Sequence, residues 1–178
     1  MNNKYYRDEV ERKIKELLAK MSLEEKVWQM GMIPSSLLID EQGNFSKEKA
    51  DKVFKGYSIG GIQDLRFEPE KNIELIKEVQ DYIKENTKPG IPAIVVGETL
   101  HGYLAPEATI FPQAIGLGCT WNTELVQAIA EAAAKEARAV GTSLANAPDL
   151  DLARDPRWGR VEETFGEDPY LVTKMGLS

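Results

Sequence analysis

Cysteine and histidine are almost missing from this chain. Its 178 residues hold one of each, Cys119 and His101. A single cysteine excludes an intrachain disulfide framework and any multi-cysteine metal site. A single histidine leaves no imidazole cluster for a metal. We therefore expect no metal and no cofactor. Cys119 stands between Leu117 and Trp121, as a buried small hydrophobe would. No apolar run approaches membrane-spanning length. The first residues, with Lys4, Arg7, Asp8 and Glu9, lack the apolar centre of a signal peptide. The expected compartment is the cytoplasm, with no membrane partner. Positive charge is also short: 22 Lys and Arg against 29 Asp and Glu leave a net charge of −7. That balance argues against nucleic acid as a partner.

What is present is enough for one ordinary domain, with 42% apolar residues to fill a core. Val10, Ile14, Leu17 and Leu18 recur at helical spacing over about residues 6–20. Ser22 and Glu25 read as a capping box opening a second helix that runs to about Met30, where Pro34 forbids extension. Residues 35–56 are polar and irregular, with a short charged helix near Lys47–Phe54. A first strand is expected at Ser58–Ile62 and a helix at about 69–86, its apolar face made by Ile73, Ile76, Val79 and Ile83. Pro92–Gly97 is a continuous β-branched run, as for a parallel strand buried on both faces. Asn122 caps a helix running to Val140, and Thr142–Asp149 makes a third strand.

Strand–helix alternation with short connections implies parallel pairing with right-handed crossovers. Open doubly wound sheets and closed (β/α)8 barrels share it. The dinucleotide turn G-x-G-x-x-G is missing, since neither Gly60-Gly61 nor Gly116-Leu117-Gly118 has that form. The polar clusters instead follow the second and third strands, where barrel active sites collect. The expected fold class is α/β: the N-terminal portion, about three strand–helix units, of a (β/α)8 TIM-type barrel. A whole barrel has eight strands and typically ~250 residues. Residues 1–57 would be a helical lead-in, and 58–178 a partial barrel incomplete at its C-terminus.

The densest chemistry lies in Arg154-Asp155-Pro156-Arg157-Trp158-Gly159-Arg160, followed by Glu162-Glu163-Thr164-Phe165-Gly166-Glu167-Asp168. An apolar run, Ser143–Ala147, leads into it like the mouth of a buried strand. So many charges beside a core must be paired or face a polar ligand. Arginine suits either role, because its planar fork grips a carboxylate or vicinal hydroxyls with two hydrogen bonds. From the residues alone, a structural ion-pair loop and a binding loop are equally good readings.

That loop resembles the signature of family 3 glycoside hydrolases, the β-glucosidase and β-xylosidase group. Three further segments resemble the same family in the same order: Met21–Val27, Gly97-Glu98-Thr99-Leu100-His101-Gly102, and Ala108–Leu117. The resemblance covers about residues 10–175 and implies a TIM-type barrel acting on β-glucoside or β-xyloside oligosaccharides. Retaining glycosidases of this kind use one carboxylate as nucleophile and another as acid/base. The resemblance places both, and a sugar-gripping Lys-His pair, beyond this sequence. The chain is therefore expected to carry no catalytic residue, and to be inactive alone.

The same resemblance makes Glu98 and Arg160 the substrate-binding residues of a terminal-sugar subsite. Glu98 stands where many β-glucosidases carry aspartate, and its longer arm would favour xylose over glucose. His101, Glu163, Asp151 and Trp158 are supporting candidates. Glu163 would orient Arg160, and Asp151 would hold the loop with Arg154, Arg157 and Asp155. Trp158 would pack under the loop rather than stack on sugar, and His101 would be a hydrogen-bonded structural residue near Glu98. Two other readings stay open: a non-catalytic partial barrel completed by another chain, and an unrelated α/β enzyme with a nucleotide cofactor. An incomplete barrel would also leave strand edges that invite self-association.

Overall fold

The structure is a computed structural model that describes residues 4–178. Helices α1 (Lys4–Lys20) and α2 (Leu23–Trp28) come first. Ser22 starts α2 with the expected capping box: its hydroxyl accepts from Glu25 N at 3.2 Å, and the Glu25 carboxylate accepts from Ser22 N at 2.7 Å. Strand β1 (Met32–Pro34) follows and leads through a short 3-10 turn to α3 (Lys47–Phe54). Next come β2 (Gly61–Gln63), α4 (Pro69–Asn86) and β3 (Ile94–Glu98). A long connection carrying the short α5 (Ala114–Gly118) reaches α6 (Thr123–Ala139), then β4 (Leu144–Asn146) and α7 (Pro169–Gly176).

The four strands are parallel and adjacent in chain order. A doubly wound sheet reverses its strand order at a switch point, whereas successive (β/α) units of a barrel do not. Among the described residues no reversal occurs, so the strand order agrees with the expected α/β fold of barrel type.

The sheet differs from expectation in two ways. It begins inside the segment read as a helical lead-in, because β1 pairs with β2 from Met32 opposite Gly61 to Pro34 opposite Gln63. Three residues ending in proline offer no alternation to recognise. The strand expected over 142–149 shrinks to Leu144–Asn146, and all three residues are exposed. Its composition suits a buried strand, but among the described residues nothing pairs with its far side.

Most of the core lies between β2, β3 and the helices α3 and α4, where Phe54, Ile62, Leu75 and Ile83 are almost wholly buried. The buried face of α4 is Asn72, Leu75, Val79, Tyr82 and Ile83. The expected face is thus rotated, and Ile73 is exposed. Asn72 explains the rotation. Its amide donates to Leu65 O and Tyr103 Oη, both at 3.3 Å, and accepts from Phe67 N at 3.2 Å. Tyr103 in turn donates to Leu65 O at 3.1 Å and accepts from Thr142 Oγ1 at 3.4 Å. This buried network ties α4 to the loops after β2 and β3 and to the start of β4. A second, smaller core joins Leu117, Val126, Phe165, Val172 and Met175.

Candidate functional site

Glu98 ends β3 and Asn146 ends β4, and the two are register partners. Val95 and Val96 are buried, so β3 is anchored in the core while its last residue reaches the C-terminal rim of the sheet. There a hollow of about 420 Å³ is lined by Glu98, Leu100, Asn146, Asp149, Asp151 and Arg160. The structure thus brings together both expected substrate-binding residues.

The backbone fixes Glu98. Its Oε1 accepts from Thr99 N at 2.9 Å and Leu100 N at 3.1 Å. Oε2 takes no part in these two bonds, and Glu98 lines the hollow. A carboxylate held by two amides needs little further ordering to receive a ligand hydroxyl.

Arg160 lies between two carboxylates. Its Nε donates to Glu163 Oε2 at 3.0 Å, and Nη2 makes a short bond to the same oxygen. Nη2 also stands 3.5 Å from Asp149 Oδ2. The Glu163 hydrogen bond holds the guanidinium well above its usual pKa, so it stays charged. Glu163 is thus the carboxylate that holds the Arg160 guanidinium in place.

Asp151 does not brace the loop as expected; it faces the hollow. Its carboxyl lies against that of Asp149, which hydrogen-bonds it and repels its charge, raising its pKa above the usual aspartate value. Asp149 is a residue the sequence reading missed. Its signal was the Asp149-Leu150-Asp151 alternation at a strand exit, which puts two carboxylates on one side of an extended chain.

The supporting residues divide. His101 Nδ1 lies 3.1 Å from Phe111 O, and Phe111 N donates to His101 O at 2.8 Å, so the histidine joins two loops near Glu98. Gly102 between them has φ +112, and a Cβ there would overlap the Thr109 carbonyl. Trp158 is not packed beneath the loop: 37% of its surface is exposed. It sits in the tight turn Asp155–Trp158, where Arg157 grips Asp155 at 2.9 and 2.6 Å. Phe165 packs under the loop instead, at 5% exposure. Gly118 permits this, since a Cβ at that position would overlap the Phe165 carbonyl oxygen. Cys119 is exposed rather than buried, because it caps the C-terminus of α5 just after Leu117 has turned inward.

Among the described residues, no group of three or more His, Cys, Asp and Glu side chains is arranged to hold a metal ion. No helix there is long and apolar enough to cross a membrane. The hollow instead presents carboxylates, one guanidinium and an amide, a set suited to polyhydroxylated ligands.

Residues 22–178 match the glycosyl hydrolase family 3 N terminal domain, and the chain belongs to that family. It is similar to a β-xylosidase from Formosa agariphila, 35% identical over 86% of this chain and 22% of the relative. It is 31% identical to the periplasmic β-glucosidase of Salmonella typhimurium, over 92% of this chain and 19% of that protein. Among solved structures, a β-glucosidase from Listeria innocua matches with a TM-score of 0.74 at 32% identity, over 93% of this chain and 22% of that one. The chain spans about a fifth of the length of these proteins.

Proposed function

We propose that this chain forms part of the sugar-binding subsite of a retaining, exo-acting β-glycosidase that releases terminal β-D-glucosyl or β-D-xylosyl residues. Glu98 accepts hydrogen bonds from the terminal sugar, Arg160 donates to its hydroxyls, and Glu163 aims the arginine. The observation that carries this reading is the shared hollow, lined by Glu98 from the end of β3 and by Arg160 from the loop after the neighbouring β4. The relatives' names supply the two sugars.

In this reading the nucleophile and the acid/base come from outside residues 1–178, so the chain alone binds but does not cleave. Purified protein incubated with aryl β-glucosides and aryl β-xylosides is expected to give no turnover above buffer. Turnover that survives further purification would refute the division of labour.

A second reading rests on β4, whose three residues are all exposed with one edge unpaired. Such an edge is a template for another strand. In this reading the partial sheet is completed by another polypeptide or by a second copy. Sedimentation is then expected to show a species larger than a monomer, and a clean monomer across concentrations removes the idea. The cytoplasm remains the proposed compartment, with export as the alternative that the periplasmic relative suggests.

A further inference from the structure

Strand β4 reads Leu144-Ala145-Asn146 and runs on into Ala147, so one polar side chain interrupts an apolar stretch. Asparagine is a poor strand former, and a local rule broken within a regular element often marks a functional position. The pleat shows which way it faces. Ala145 and Ala147 line an apolar hollow with Val126 and Ile129 of α6 and Met175 of α7. Successive strand residues point to opposite faces, so Asn146 lies on the face turned away from those helices. Glu98, its register partner on β3, shares that face, and both line the polar hollow.

The register adds a second observation. Val96 stands opposite Leu144, and two residues further on Glu98 stands opposite Asn146. Both strands thus change from apolar to polar at one height, where neighbouring strands lie about 4.8 Å apart. That spacing lets two side chains meet on one small ligand group. The pair is also chemically complementary. A carboxylate only accepts hydrogen bonds, whereas a primary amide donates two and accepts as well. A sugar hydroxyl both gives a hydrogen and receives one, so Glu98 and Asn146 together satisfy it. Asn146 is exposed, so a ligand can reach its amide. We propose that Asn146 is a specificity-determining residue of the hollow, its Nδ2 donating to the same ring hydroxyl whose proton Glu98 accepts. The inference rests on the reading of the hollow as a pyranose site and adds the residue that checks for one hydroxyl. A site that engages a hydroxyl in this way rejects the sugar lacking it, because polar groups of the site are then left unpaired.

The test uses the full 178-residue chain, 15N-labelled. It is titrated with methyl β-D-xyloside and methyl β-D-glucoside, and then with three analogues of the tighter one, each lacking one ring hydroxyl. The amides of Thr99 and Leu100, which bond Glu98, report occupancy beside that carboxylate. The side-chain Nδ2 signals of Asn146 report the proposed bond, and both sets are expected to move with one midpoint. One analogue is expected to bind at least about tenfold more weakly, the size of one lost hydrogen bond. Asn146→Leu is close in shape but has no polar atoms. It is expected to bind the parent glycoside about tenfold more weakly, yet to bind that one analogue as wild type does.

Movement of Thr99 and Leu100 without the Asn146 side-chain signals overturns the proposal in the wild-type chain alone. A variant that binds the parent glycoside unchanged overturns it as well. So does one that weakens the parent and all three analogues by the same factor, which is the mark of a merely structural residue. If neither glycoside moves any signal of the wild-type chain, the pyranose reading falls and the inference falls with it.

Discussion

The two halves of this chain are built to different degrees of completion. Around β2, β3, α3 and α4 the sheet is covered by helices, and its large side chains are almost fully enclosed. From β4 onward the second core is half that size, β4 is exposed throughout, and Leu144 shows 43% of its surface. The hollow straddles the seam: Glu98 comes from the complete half, Asn146 and the arginine loop from the incomplete one. A ligand subsite can therefore be rigid on one side while its other wall depends on local hydrogen bonds and on whatever covers β4.

Three substitutions test how far that contrast holds. The largest effect is expected for Phe54→Ala, which empties the centre of the complete half. Large-to-small changes at such sites cost about 3–5 kcal/mol, and denaturant unfolding is expected to show a loss in that range. A loss below 1 kcal/mol would mean this half is not the better packed one.

Asp151→Asn comes next and probes the hollow. The Asp149 carboxylate raises the Asp151 pKa, so the folded chain holds that proton more tightly than the unfolded chain. The contribution of Asp151 thus favours folding in acid and is lost as pH rises through its folded-state pKa. The variant is expected to melt higher than wild type at neutral pH, with the gap closing toward acid. Equal midpoints at neutral pH would show that the paired carboxylates cause no strain.

The smallest effect is expected for Leu144→Ala. Exposed positions usually stay within about 0.5 kcal/mol, so unfolding should barely change. A marked loss that grows with protein concentration would show instead that Leu144 is buried against another chain.

Residue by residue, the caps and long helices were legible because their signals are local. Ser22 with Glu25 and Asn122 with Leu125 need only neighbours along the chain. The site was legible as far as Glu98, Arg160 and Glu163, which lie in long charged motifs. Trp158 was expected beneath the loop and Phe165 lies there instead, because nothing in a turn's sequence says which aromatic residue the fold turns inward. Asp149 stayed hidden because Arg160 reaches it only once the loop folds back, and the local pairing with Asp151 went unread.

Most of the helices, the family of the fold and the candidate site residues Glu98, Arg160 and Glu163 lie in the sequence, since periodicity, caps and motifs are properties of neighbouring residues. Tertiary structure alone decided that β1 joins the sheet, that Asn72 rotates the buried face of α4, and that three carboxylates converge beside one occupied arginine. The first two depend on contacts between segments far apart in the chain, and the third needs the loop after β4 to bring Arg160 and Glu98 to the Asp149 and Asp151 pair.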